Sequence, residues 1–268
     1  MVNKSIETRT GNVHYEDRGN GFSLVFLHGL CEDGFIWEKF ISGLEKTYRI
    51  LRPDLPGCGK SSLSLDPVSL TIDDYANVVF DILEKENINE CAVIGHSMGG
   101  YSALAFAEKH PGLIKGMCLF HSSAFADDDS KKAERQKVTE FIARNGGGDF
   151  IKQLFKNNFS EDFYRNNQSQ VRELVDRAKK FPKEGAMASM QAMKNRPDRL
   201  AVLRDAKFPV QFIIGKKDKA IPLERSLREC HLPSVSSILI LNESAHMGFF
   251  EEKEKCQSGV ADWLKLIA

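Results

Sequence analysis

Neither sign of charge is in surplus: 37 Lys and Arg stand against 37 Asp and Glu in 268 residues. Nucleic acids and other polyanions are captured by clustered positive charge, so this balance argues against that class of partner. No apolar run approaches the roughly 18 residues that a membrane-spanning helix needs. The stretch from Met1 to Thr10 is polar and mixed in charge, without the apolar core of a secretory signal. A cytoplasmic protein that engages neither membrane nor nucleic acid is expected. Close cysteine pairs are missing too. Cys31, Cys58, Cys91, Cys118, Cys230 and Cys256 lie far apart, without the spacing of a zinc site or a redox dithiol, and read as free thiols. No metal and no cofactor are implied, and no internal repeat or low-complexity tract is present.

What the chain does have is an ordinary globular composition, with 42% hydrophobic and 28% charged residues. At roughly 150 residues per domain, its length suits one large domain or one domain with an insertion. Short apolar runs at 23–27, 49–52, 91–94, 116–120, 210–214 and 237–241 alternate with longer amphipathic patterns. That rhythm marks an α/β fold, a mostly parallel sheet covered by helices. After Thr71, the side chains of Tyr75, Val78, Val79, Ile82 and Leu83 fall on one helical face, and a second, alanine-rich helix follows Ser97. Residues 6–17, with Gly11 and Asn12 at the centre, read as a hairpin leading into the sheet.

Across residues 125–202 the strand rhythm stops and helical patterning takes over, interrupted at 145–148 and at Pro182. The expected division is a core of residues 1–124 and 203–268 with residues 125–202 inserted as a helical cap. Residues 127–202 hold 16 Lys and Arg against 12 Asp and Glu. If that surplus faced an entrance, it would gather anionic substrates. Most of the insertion's aromatic and methionine side chains, among them Phe141, Phe150, Phe155, Phe159, Phe163, Phe181, Met187, Met190 and Met193, read as inter-helix packing.

The chemistry concentrates at Gly95-His96-Ser97-Met98-Gly99-Gly100, between a strand and a helix. A G-x-S-x-G sequence in this context makes a sharp turn that strains the central residue, exposes its hydroxyl and requires glycines where a Cβ would clash. A serine nucleophile needs a base, and the base needs an acid to orient it. His246 is the one histidine in a loop after the last strand, so it is the expected base. Asp218, exposed by a turn after residues 210–214, is the expected acid, with Asp127 or Asp128 after the preceding strand as the fallback. The N–H of Met98, at the helix start, and the N–H of Leu30, after the first strong strand, are the expected oxyanion donors. Gly29 lets that loop approach closely, His28 braces it, and His96 points away from Ser97.

These residues together resemble the α/β-hydrolase superfamily over essentially the whole chain. The match is carried by L-H-G at 27–29, D-L-P-G-C-G-K-S at 54–61, G-H-S-M-G-G at 95–100, G-K-K-D-K-A-I-P at 215–222 and A-H-M at 245–247. Serine at position 97, where dehalogenases and epoxide hydrolases carry Asp, argues against both. His96, where carbon–carbon bond hydrolases tend to carry Asn, counts against that branch, and the H-G-G-G loop of many lipases is absent. The segment 195–199, N-R-P-D-R, is similar to small capped esterases and enol-lactonases. The resemblance implies a cofactor-free serine hydrolase of small-molecule carboxylic esters. Lactones, thioesters, an acyl group on a carrier protein, lyase or perhydrolase chemistry, and slow-turnover ligand reception remain open on the same scaffold.

Overall fold

Short runs rich in Val, Ile, Leu and Phe, joined at one side by a more polar hairpin, pair into a sheet of eight strands in this computed structural model, which describes residues 2–267. The strands are β1 (Val2–Thr8), β2 (Gly11–Arg18), β3 (Ser23–Leu27), β4 (Arg49–Pro53), β5 (Cys91–His96), β6 (Ile114–Phe120), β7 (Val210–Gly215) and β8 (Ser236–Leu241). Their spatial order is β1-β2-β4-β3-β5-β6-β7-β8. β1 and β2 pair antiparallel, as do β2 and β4, and the remaining pairings are parallel. The hairpin turns earlier than the glycine suggests. Arg9 and Thr10 form the turn, whereas Gly11, at φ 126°, already pairs with Thr8 as the first residue of β2.

Strands β3, β5 and β7 are buried along their whole length, as strands covered on both faces must be. Alternation sends Val25, Val93 and Leu119 into one core and Phe26, Ile94 and Phe120 into another on the opposite face. The first core is closed by α1 (Ile72–Lys85) and α2 (Met98–Lys109). A reciprocal cap between Thr71 and Asp74 starts α1, and its buried face carries Tyr75, Val78, Val79, Ile82 and Leu83. The second core is an aromatic cluster of Phe26, Trp37, Phe40, Phe120 and Phe249 with ring centroids mostly 5–6 Å apart.

Between β6 and β7 run α3 (Asp129–Asn145), α4 (Gly148–Asn158), α5 (Glu161–Asn166), α6 (Gln168–Ala178) and α7 (Lys183–Asn195). α3 packs on α7, and α4 on α6. The breaks fall at the glycines after Asn145 and at Pro182, where the sequence places them. Two further breaks, at Phe159–Ser160 and at Asn167, carry no glycine or proline. A last helix, α8 (Lys253–Leu264), covers the second core. All six cysteines are buried free thiols, and burial pushes Cys31 and Cys91 up to about 12. Among the described residues, no helix is long and apolar enough to cross a membrane.

Candidate active site

β5 hands the chain to α2 through Ser97, whose φ of 50° and ψ of −114° lie where a side-chain-bearing residue is strained. A Cβ on Gly95 would stand 2.4 Å from the Gly99 carbonyl, and one on Gly99 would stand 2.3 Å from the Leu27 carbonyl oxygen. The glycines are therefore required by close approach of backbones. Ser97 N–H donates to Phe120 O at 2.9 Å, and Ser97 O accepts from Ser122 Oγ at 2.7 Å. The strained turn is thus pinned from β6, and the half-buried Ser97 side chain opens into a cavity of ≈290 Å³ that His246 also lines.

His246 Nδ1 lies 2.7 Å from Asp218 Oδ2. Asp218 Oδ1 accepts from the N–H groups of Ala220 and Ile221 at 2.8 and 2.9 Å, which fixes the carboxylate plane. Burial alone would raise the Asp218 carboxyl, but the charge of His246 and the N–H groups of His121 and His246 hold it well below the usual range. For His246, burial disfavours the charged ring, yet the charge and hydrogen bond of Asp218, with Glu32 and Glu251 beyond, lift it above 6.5. The fallback acids lie elsewhere. Asp127 faces Arg135 and Arg196, and Asp128 caps α3 by accepting from Lys131 N–H.

The N–H groups of Leu30 and Met98 take part in no hydrogen bond among the described residues, and Leu30 lines the cavity. His28 accepts from Leu55 N–H at its Nε2, so its Nδ1 carries the proton and donates to Gly29 O at 2.8 Å. It braces the loop between the L-H-G and D-L-P-G segments. Gly29 N–H donates to Glu32 at 2.6 Å, and Glu32 also meets His96 Nδ1 at 2.9 Å. His96 Nε2 in turn donates to His246 O at 2.9 Å. His96 thus turns from Ser97 to tie two loops together. Of the insertion's aromatic and methionine side chains, Phe150, Met190 and Met193 do line the cavity.

Several site residues escape a reading of the sequence. Glu32 is one, three residues beyond L-H-G. His121 is another: it follows β6 at φ 49° and accepts from Gly248 N–H at its Nε2, so its Nδ1–H points toward Asp218 Oδ2, 3.4 Å away and poorly aligned. Burial pulls His121 down to about 4, which leaves it neutral. Its place at the end of a central strand is the one signal the sequence offers. Glu251 accepts from Ser160, Ala245 and Met247, and His246 N–H donates to Asn158 O at 2.8 Å. The helices between β6 and β7 are therefore bonded directly to the His246 loop. His121, Asp218 and His246 have donor atoms within 4.8 Å of one another, but the imidazole nitrogens facing the carboxylate carry protons, so a metal would have to displace those contacts.

A family model described as alpha/beta hydrolase fold matches residues 23–253. The chain belongs to this family. Among its α/β-hydrolase relatives is a pimeloyl-[acyl-carrier protein] methyl ester esterase of Shewanella woodyi, 25% identical over 262 residues, covering 95% of this chain and 98% of the relative. Another is a 2-hydroxy-6-oxononadienedioate/2-hydroxy-6-oxononatrienedioate hydrolase of Paraburkholderia phymatum, 26% identical, with 94% and 90% covered. A thermophilic esterase from Thermogutta terrifontis, solved with malate bound, superposes with a TM-score of 0.92 at 25% identity, covering 100% of this chain and 99% of that one. The enol-lactonase of Burkholderia xenovorans shares the fold, with a TM-score of 0.90 at 21% identity and 98% and 100% covered.

Proposed function

We propose that this α/β-hydrolase is a serine esterase that cleaves small-molecule carboxylic esters through an acyl-enzyme. Ser97 attacks the ester carbonyl, and His246 takes the serine proton at Nε2 and passes it to the leaving alcohol. Asp218 holds the imidazole in the tautomer that leaves Nε2 free and stabilises the imidazolium that forms. The N–H groups of Leu30 and Met98 receive the oxyanion. Water, activated by His246, then releases the acid. Residues 125–202 act as a cap that excludes bulk water from the cavity. The observation that carries this reading is the strained Ser97 turn opening into the cavity lined by His246, whose other nitrogen is 2.7 Å from a buried carboxylate.

An aryl acetate assay tests it. Wild-type protein should turn over the ester and be labelled by a fluorophosphonate at Ser97 alone. Ser97→Ala should lose at least about 10³-fold in kcat while keeping its melting temperature. Retention of a tenth of the rate by the alanine variant would remove Ser97 from the mechanism.

A further inference from the structure

Arg135, on α3, lines the same cavity as Ser97 and His246, and its side chain is 11% exposed. Its Nε donates to Asp127 Oδ2, while Arg196 Nη2 lies 2.8 Å from Asp127 Oδ1. One carboxylate thus faces two guanidinium groups, and one positive charge is left over. Burial would raise the Asp127 carboxyl, but the hydrogen bonds from Arg135 and Arg196 hold it below its ordinary value, so it stays an anion.

Arg196 is held at both Nη atoms: Nη1 donates to Met193 O at 2.8 Å, Nη2 to Phe125 O at 3.0 Å, and its guanidinium stacks 3.9 Å from the Tyr101 ring centroid, while its buried Nε meets no acceptor among the described residues. Arg135 is not. Beyond Nε, its one contact is Nη1 at 3.8 Å from Met190 Sδ, a weak acceptor, and its Nη2 meets no acceptor among the described residues. The other ionisable side chains along the cavity have partners of their own, Lys131 meeting Glu134 at 2.8 Å and Glu32 meeting His96 at 2.9 Å. A guanidinium edge presents parallel N–H groups in the spacing that a carboxylate accepts.

We propose that the Nη edge of Arg135 is a carboxylate subsite, so that the substrate is an ester bearing a carboxylate separated from the scissile bond by a short aliphatic spacer. The spacer lies against Val138, Leu154, Met190 and Met193, which line the cavity. The proposal rests on the esterase reading, and it adds a recognition element that a neutral acyl chain cannot use. Desolvation in the cavity strengthens the pairing relative to water and penalises an uncharged chain end placed against the cation.

The test compares kcat/KM for two matched aryl esters, a hexanoate and a hydrogen adipate, in wild type, Arg135→Gln, Arg135→Lys and Lys132→Gln. Wild type should favour the adipate by about tenfold or more, a ratio that Arg135→Gln abolishes and Arg135→Lys keeps in part. Lys132 is exposed on the same helix, so Lys132→Gln removes the same unit of charge without touching the cavity and should change the ratio less than about twofold. Calorimetric binding of both esters to Ser97→Ala, with and without Arg135→Gln, reads the subsite without turnover. A tenfold preference there supports the subsite even if Ser97 proved not to be the nucleophile. A ratio near one in wild type, or an equal loss in Lys132→Gln, would overturn it.

Discussion

His246 meets Asp218 through Nδ1, and its Nε2 is engaged by nothing among the described residues. In the proposed mechanism His246 is a general base, which works only when neutral, and Asp218 lifts this imidazole above its ordinary value of 6.5. Protonation therefore sets in at higher pH than for a free imidazole. The expected profile of kcat/KM is a fall, as pH drops, with its midpoint above about 6.5. Asp218→Asn removes the raising charge and leaves burial, so the midpoint should move below that value while kcat drops by up to about 10⁴-fold. His121 refines the same balance. His121→Phe keeps a ring but removes the N–H that faces Asp218, which makes the carboxylate more basic. Its midpoint should shift further upward, and His121→Asn, whose amide N–H reaches the place of Nδ1, should restore it. A melting curve alone would not move in this graded way.

At the scale of elements, the loop that carries His246 is held by a carboxylate from the helical turn after it. Glu251 receives N–H groups of Ala245 and Met247 in that loop and of Ser160 between α4 and α5. Glu251→Gln leaves one oxygen for three donors and turns an NH₂ toward the rest. We expect a loss of about 1–3 kcal/mol in stability and a fall in kcat larger than any rise in KM, read by thermal melts and steady-state kinetics. The strands and the serine turn were legible because each is written locally, in apolar runs and glycines, and the meeting of His246 with Asp218 joins two loop positions that the sequence marks. Glu32, His121, Glu251 and Arg135 were not. Their roles depend on which distant donor or acceptor ends up beside them, and nothing in the neighbouring residues encodes that partner. The hairpin turn was displaced from Gly11 for a related reason: the cross-strand pairing of Thr8 with Gly11 decides the register.

For the whole molecule, the charge surplus of residues 127–202 counts for less than where its members stand. Lys131 is matched by Glu134, and many of the others are exposed along α3 and α6. A weak field on solvated faces is screened within about 8 Å at physiological salt. Any preference for anionic esters that persists at high salt would therefore trace to a local contact in the cavity such as that of Arg135 and not to net charge. The measurement is the salt dependence of the adipate-to-hexanoate ratio, expected to change little between low and high salt.

The sheet order also sets a timetable for folding. Strands β1 to β6 precede the helical segment in the chain, whereas β7 and β8 add to one side of the sheet afterwards. The hydrogen bond from His96 to the His246 backbone spans 150 positions. Such distant contacts close late, because the loop entropy must be met before they form. During synthesis the serine turn thus emerges well before Asp218 and His246, so on the proposed mechanism the nascent chain carries an inert hydroxyl. In refolding, far-UV signal should return ahead of fluorophosphonate reactivity, and the lag would time the docking of the last two strands.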